Sequence, residues 1–299
     1  MSAAGLCATI LCIATITWLL TSGSLVAQES ADTGKKPKHR NLIWSPPAVD
    51  APVHSLVSAP PCVLANVLEQ ASESVSELVT NLQNFTAREK IEYQTSDRDG
   101  MIQDLGSAMF DYIVVFQQSP GGLVFQEMRN PEHGSSLSAA AQQDMGLPEM
   151  VLIFLPNMQA DYEMSCEGAV ESNHQRSWII RFRQRKDKPS RTYSFRVNKV
   201  VYPVGLKGRA WIASDSGEVV HMETSLMEEV PAAGVHHAYL SIDYAPVQFQ
   251  TKPVRIWLPQ SVDGFCDFGD HRTIVYHTFS NFMLFSVQTD QKLGKPKQP

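Results

Sequence analysis

The chain has 299 residues, with 25 Lys and Arg against 31 Asp and Glu, and a formal charge of −6. Hydrophobic residues make up 43% and charged residues 19%, which is enough apolar material for a core and excludes a disordered polymer. The acidic balance argues against nucleic-acid binding, which needs a basic face to neutralise phosphates, so no nucleic-acid partner is expected.

Residues 6–20 form an apolar run without charge, followed by the small residues Ser22-Gly23-Ser24-Leu25-Val26-Ala27 and the polar Gln28-Glu29. This is the pattern of a signal peptide cleaved after Ala27, so 1–27 reads as a leader, although no Lys or Arg precedes the run. The alternative is an uncleaved inner-membrane anchor through residues 6–20 with Trp18 at the interface, for which the run is short. Either reading exports the body, to the periplasm or outside the cell. Residues 28–61 read as a Pro-rich polar tether. Its basic cluster Lys35-Lys36-Pro37-Lys38-His39-Arg40 is either solvated or a peripheral contact with anionic lipid headgroups. Cys62, Cys166 and Cys266 remain beyond the leader. They allow one disulfide with three pairings open, or three small buried hydrophobes.

One long helix follows Pro61. Leu64, Val67, Leu68, Ala71, Val75, Leu78, Val79 and Leu82 step by three or four and share a face, with Glu69, Glu73 and Glu77 on the other. Strands dominate afterwards. Phe85, Ala87, Glu89, Ile91 and Tyr93 alternate with Thr86, Arg88, Lys90 and Glu92. Tyr112–Phe116 and Leu123–Met128 flank Gly121-Gly122 as a hairpin. Residues 130–148 read as a long loop, and 147–155 as either a buried strand or a short helix. Further strands are expected over 177–184, 209–213, 219–226, 238–244, 254–258, 271–276 and 282–287, before a frayed tail at 291–299. One helix ahead of an antiparallel meander is an α+β pattern, without the βαβ alternation of a parallel sheet.

The segment Gly208-Arg209-Ala210-Trp211-Ile212-Ala213-Ser214-Asp215-Ser216-Gly217-Glu218-Val219-Val220-His221-Met222-Glu223, with Ile242-Asp243-Tyr244 and Leu258-Pro259 beyond it, resembles a hairpin and its following strands in periplasmic proteins. These are the outer-membrane lipoprotein carrier and the sigma-factor regulator that shares its fold. Ala213 stands where that pattern has Asp. The resemblance implies a single domain over 62–290. It would be a curved, open antiparallel sheet, a half-barrel, with the amphipathic helix covering its concave face. It also implies a non-enzymatic protein that binds a lipid, a lipoprotein or a hydrophobic peptide there. The alternative from another class is an envelope regulatory protein that senses a partner peptide, and a hydrolase comes third. On this reading Trp178, Ile180, Phe182 and Trp211 line the groove; the plain reading of the same residues is core packing.

No catalytic set is assigned, because no Gly-x-Ser-x-Gly elbow, His-Glu-x-x-His or phosphate loop occurs. No cofactor and no metal are expected. Cys266-Asp267-Phe268-Gly269-Asp270-His271 is the densest group of ligand-type residues, but it reads as a turn, and His271 and His277 lie too far apart along one strand for a single ion. His236-His237 reads as a solvent-exposed pair.

Overall fold

The computed structural model describes residues 44–81, 84–119, 122–132, 150–172, 175–197, 200–249 and 255–285. The chain divides into two units, 1–40 and 41–299, and every described residue belongs to the second. The expected leader, the basic cluster, most of the 130–148 loop and the tail lie outside the described residues.

The long helix, α1, is Leu64–Asn81, and its periodicity is the expected one, with Val67, Ala71 and Val75 buried. It carries no Lys or Arg, so the apolar stripe has to hold it in place. The remaining elements are β1 (Asn84–Asp97), β2 (Ile102–Ser119), β3 (Gly122–Pro131), a 3-10 turn at Met150–Phe154, the single-turn helix α2 (Pro156–Gln159), β4 (Tyr162–Ser172) and β5 (Gln175–Gln184). Then come β6 (Ser194–Val197), β7 (Val200–Pro203), β8 (Leu206–Ala213), β9 (Val219–Leu226), β10 (His237–Gln248), β11 (Arg255–Asp267) and β12 (His271–Phe285). Ten strands form one unclosed antiparallel sheet in the order β3-β2-β1-β12-β11-β10-β9-β8-β5-β4, and β6–β7 is a separate hairpin. The first long strand therefore pairs with the last, from Asn84↔Phe285 to Asp97↔His271.

Alternation gives the sheet two unlike faces. The core face carries Phe85 and Ala87 of β1, Tyr112 and Val114 of β2, Ile180 and Phe182 of β5, Ala210 and Ile212 of β8, Met222 of β9, and Leu240 and Ile242 of β10. These join α1 and all five residues of the Met150–Phe154 turn in one buried cluster. Gly208 is required on this face. It stands opposite Phe182, and a Cβ there would lie 1.9 Å from the Glu223 carbonyl oxygen and 2.7 Å from the Phe182 ring.

The other face is covered differently. Residues 44–57, expected to be part of a solvated tether, form a strap across it. Trp44 packs edge-on against Tyr239 and Phe265, with centroids 5.8 and 6.0 Å apart, and Val49 is buried beside them. Val57 donates a backbone hydrogen bond to Ala169 of edge strand β4 at 2.8 Å. The prolines that suggest a linker leave this segment able to lie on a sheet without joining its ladder.

Four further differences from the sequence reading have physical causes. Strand β12 runs through the gap expected between 276 and 282, because Asn281 adopts φ 53° at a bulge and lets pairing continue. Strand β4 lacks a clean apolar alternation because it is an edge strand whose polar side chains meet solvent. The β6–β7 hairpin is only two four-residue strands, too short for a period-two signal. The 147–155 segment is neither strand nor regular helix where it is described, but a buried 3-10 turn at 150–154.

Cys62 and Cys166 form a disulfide with Cα atoms 6.4 Å apart, and Cys266 is the free cysteine. Cys62 lies just ahead of α1, and Cys166 stands opposite Ile180 on β5. The bond thus ties the chain just ahead of the helix to the edge of the sheet. It closes a separation of 104 residues. Replacing both cysteines with serine is expected to cost about 2–4 kcal/mol in urea unfolding. A loss near zero would show that the closure does not constrain the unfolded chain.

Candidate functional site

The core face under α1 is the candidate site, and it has an apolar floor, a seam and a charged end. The floor includes three of the four expected groove residues. Ile180 and Phe182 are fully buried in the cluster, and Trp178 packs against it partly buried. Trp211 is placed elsewhere. It stands opposite Ile179, on the strap side of the sheet, with its ring edge-on to His221 at 4.6 Å. The reason is parity: Ala210 and Ile212 take the core positions of β8, so Trp211 between them points the other way.

The seam lies where the second half of α1 meets β9, β10 and β11. A narrow crevice there is lined by Ser74, Val75 and Leu78 of the helix, Val151, Glu218 and Val219, and Tyr244 and Trp257. A bulge brings Trp257 to it. Pairing passes from Asp243↔Ser261 to Tyr244↔Pro259, so the extra residue moves Trp257 into the same parity as Tyr244. The β8–β9 turn closes the helix side. Gly217 has φ 79°, and a Cβ there would lie 2.7 Å from the carbonyl oxygen of Gln70 on α1.

The charged end spans β3, β2, β1 and β12. The side chains of Glu89, His277, Arg129 and Glu127 are 0–4% exposed. Arg129 Nε donates to Glu89 Oε2 at 2.7 Å, and its Nη1 lies 3.4 Å from Glu127 Oε2. The guanidinium sits over the Tyr112 ring, 5.0 Å from its centroid. His277 Nδ1 lies 2.7 Å from Glu89 Oε1. Burial alone would raise the Glu89 pKa, but the His277 hydrogen bond and the Arg129 charge outweigh it and hold the carboxyl below its ordinary value. An ionised Glu89 only accepts, so Nδ1 carries the proton in that bond. His277 Nε2 is buried without a partner among the described residues. Burial, reinforced by Glu127, pushes the Tyr112 phenol well up.

This cluster was missed as a group, although one of its members was visible. Glu89 sits in the apolar register Phe85-Ala87-Glu89-Ile91-Tyr93, and a carboxylate at a core position needs a buried partner. Nothing local marks Arg129 or His277 as that partner, because both arrive through strand pairing.

On the strap face, Arg209 is 5% exposed, donates to Glu167 Oε1 at 3.0 Å and also reaches the Ala51 carbonyl. Asp50 pairs with Arg181 and Lys207, and the Lys207 hydrogen bond holds the Asp50 carboxyl below its usual value. His221 Nδ1 lies 2.7 Å from Asp243 Oδ1, and its Nε2 lies 3.7 Å from Glu223 Oε1. Desolvation would lower the His221 pKa, but the two carboxylates push it up to about 9.

Cys266–His271 is a turn. Asp267 Oδ1 accepts from Gly269 N at 2.7 Å, and the Phe268 and His271 rings stack at 4.8 Å. Burial raises the Cys266 thiol to about 12, which makes it a poor nucleophile. Among the described residues no group of three or more His, Cys, Asp or Glu is placed to hold a metal ion. His236 is exposed and pairs with Glu229 at 3.2 Å, whereas His237 is half-buried and its pKa is lowered by burial.

No protein-family model matches the chain, and no curated protein does. Solved structures do resemble it. One is a DUF1329 family protein from Desulfovibrio piger, at 10% identity over 76% of this chain and 95% of that one, with a TM-score of 0.40. Another is a LolA superfamily protein from Nitrosomonas europaea, at 10% identity over 76% and 96%, with a TM-score of 0.33. A third is a domain described as an outer-membrane lipoprotein-sorting protein from Vibrio parahaemolyticus, at 11% identity over 73% and 92%, with a TM-score of 0.36. The chemistry of the site rests on its own residues. No helix among the described residues is long and apolar enough to cross a membrane.

Removing the cation from the charged end leaves two buried carboxylates facing each other. Arg129→Met is expected to cost about 3–5 kcal/mol in urea unfolding, partly recovered by Glu89→Gln in the same chain. A cost under about 1 kcal/mol would show that water reaches the cluster. On the strap face, His221 binds its proton more tightly folded than unfolded. Its stabilisation is complete below about pH 6.5 and is lost as pH rises through about 9. A His221→Asn variant should therefore lose that alkaline limb, read as the difference in melting temperature between wild type and variant from pH 6 to 10.

Proposed function

We propose that the protein is an exported, non-enzymatic carrier that takes a lipid or an acylated protein between α1 and a concave core face of the sheet. The observation that carries this reading is the way α1 is attached. It is held to an apolar floor by the buried side chains Val67, Ala71 and Val75, between two covalent anchors, the Cys62–Cys166 disulfide at its start and the two-residue link into β1 at its end. A helix held between two anchors by non-directional apolar contact can bow away from its floor and leave a greasy groove.

The magnitudes permit the exchange. Exposing the apolar stripe of α1 costs roughly 1.5–3 kcal/mol for each large side chain. A buried acyl chain contributes about 0.8 kcal/mol per methylene, so a sixteen-carbon chain offsets the lifting of four such side chains. In this reading Ile180, Phe182 and Trp178 form the floor, and the Glu89–Arg129–His277 cluster keeps the far strands in register while the helix moves. Trp211 and the strap belong to the outside. An exported body suits the disulfide, which needs an oxidising compartment. No catalytic group is required.

The test is direct. Protein purified from cells is extracted with organic solvent and examined by mass spectrometry, then titrated with a pyrene-labelled palmitoyl probe carrying a photoreactive group. The expected result is co-purifying lipid, saturable uptake and crosslinks to α1 and to the region around Ile180 and Phe182. No bound lipid and no uptake, or crosslinks confined to the strap face, would overturn the reading. Capture of an unlipidated peptide in the same place would support the peptide-sensing alternative instead.

A further inference from the structure

The seam under the second half of α1 holds an unusual concentration of unsatisfied polar groups. Seven buried side-chain polar atoms lack a hydrogen-bond partner among the described residues, and three of them, Tyr244 Oη, Trp257 Nε1 and Glu218 Oε2, belong to residues lining the one crevice. Its other walls include Val75 and Leu78 of α1 and Val151 of the 3-10 turn. Native folds pair their buried polar groups, so three orphans at one place call for a partner that the chain itself does not supply. Tyr244 is 6% exposed, and burial alone raises its pKa, so the phenol keeps its proton and can donate. Trp257 Nε1 can only donate, and Glu218 Oε2 offers an acceptor.

We infer that this crevice is the headgroup subsite of the carrier groove, built for a neutral acyl ester or amide that also bears a hydroxyl or N–H donor. The inference rests on the carrier reading and adds the polar end of the ligand to it. The carbonyl oxygen of the ester or amide accepts from Tyr244 and Trp257. The ligand's own donor meets Glu218. A free carboxylate is disfavoured, because it carries no donor for the Glu218 carboxyl and would set a second acceptor group beside it. The crevice measures about 10 Å³ with α1 down, room for no more than a water-sized group. A headgroup therefore enters only as α1 bows off its floor, and the subsite lies under the half of the helix away from the disulfide.

Three competitors against the pyrene-palmitoyl probe separate these terms: 1-monopalmitoylglycerol, its ether analogue 1-O-hexadecylglycerol, which lacks the carbonyl, and palmitate. The wild type is expected to bind the ester at least about tenfold more tightly than the ether, which forgoes the two hydrogen bonds to the carbonyl. In Tyr244→Phe combined with Trp257→Phe that ratio falls to about one, while the ether binds as before. Glu218→Gln should narrow the gap between ester and palmitate. Thermal melting supplies the second readout. Tyr244→Phe removes an orphan hydroxyl, so the ligand-free protein should melt at the same temperature or higher. Equal competition by ester and ether in the wild type overturns the subsite while leaving the carrier reading intact. So does a Tyr244→Phe variant that melts lower with the ratio unchanged, which would make the crevice a structural water site. Failure of all three competitors and of the probe removes both.

Discussion

A ten-stranded antiparallel sheet has two faces to cover, and this chain has one helix of useful length among its described residues. That shortage organises the molecule. The helix and a five-residue 3-10 turn take the apolar face, where burial is worth most. The opposite face is left to an irregular strap and to ion pairs between alternating side chains such as Arg181–Asp50 and Arg209–Glu167. The faces therefore differ in kind. One is held by broad non-directional apolar contact, and the other by a small apolar cluster around Trp44 together with directional polar contacts.

Buried charge follows the same division. The Glu89–Arg129–Glu127–His277 group lies within the core face, where an unpaired charge is intolerable, so it locks four neighbouring strands into one arrangement. The His221–Asp243–Glu223 group lies on the strap face, partly open to solvent, and responds to pH instead. The likeness between the two sets of residue types hides opposite roles, and burial separates them.

Much of the fold was legible because period two and period 3.6 are strong local signals. The register of β1 and the stripe of α1 follow directly from residue order. The strap was not legible, since Pro46, Pro47 and Pro52 mark a segment that avoids the ladder without saying whether it docks. Trp211 illustrates the limit of reading side chains by size: its neighbours Ala210 and Ile212 decide the face, and the tryptophan follows. The seam was hidden for a similar reason, because a single bulge in β11 reverses the parity of Trp257 and no local feature announces that bulge. The charged end could have been half-seen from Glu89, whose place among Phe85, Ala87, Ile91 and Tyr93 is anomalous for a carboxylate.

The pairing of β1 with β12 also sets a schedule. Residues 84–97 are made long before 271–285, yet they form neighbouring strands in the middle of the sheet. Until the last strand exists, β1, β2 and β3 form a meander with a bare edge beside β1, and nothing joins it to the β11–β10–β9–β8–β5–β4 half of the sheet. Contacts this distant in sequence make folding slow, and the half-made protein presents strand edges that invite wrong partners. Such a chain gains from staying unfolded until its last strand has been made.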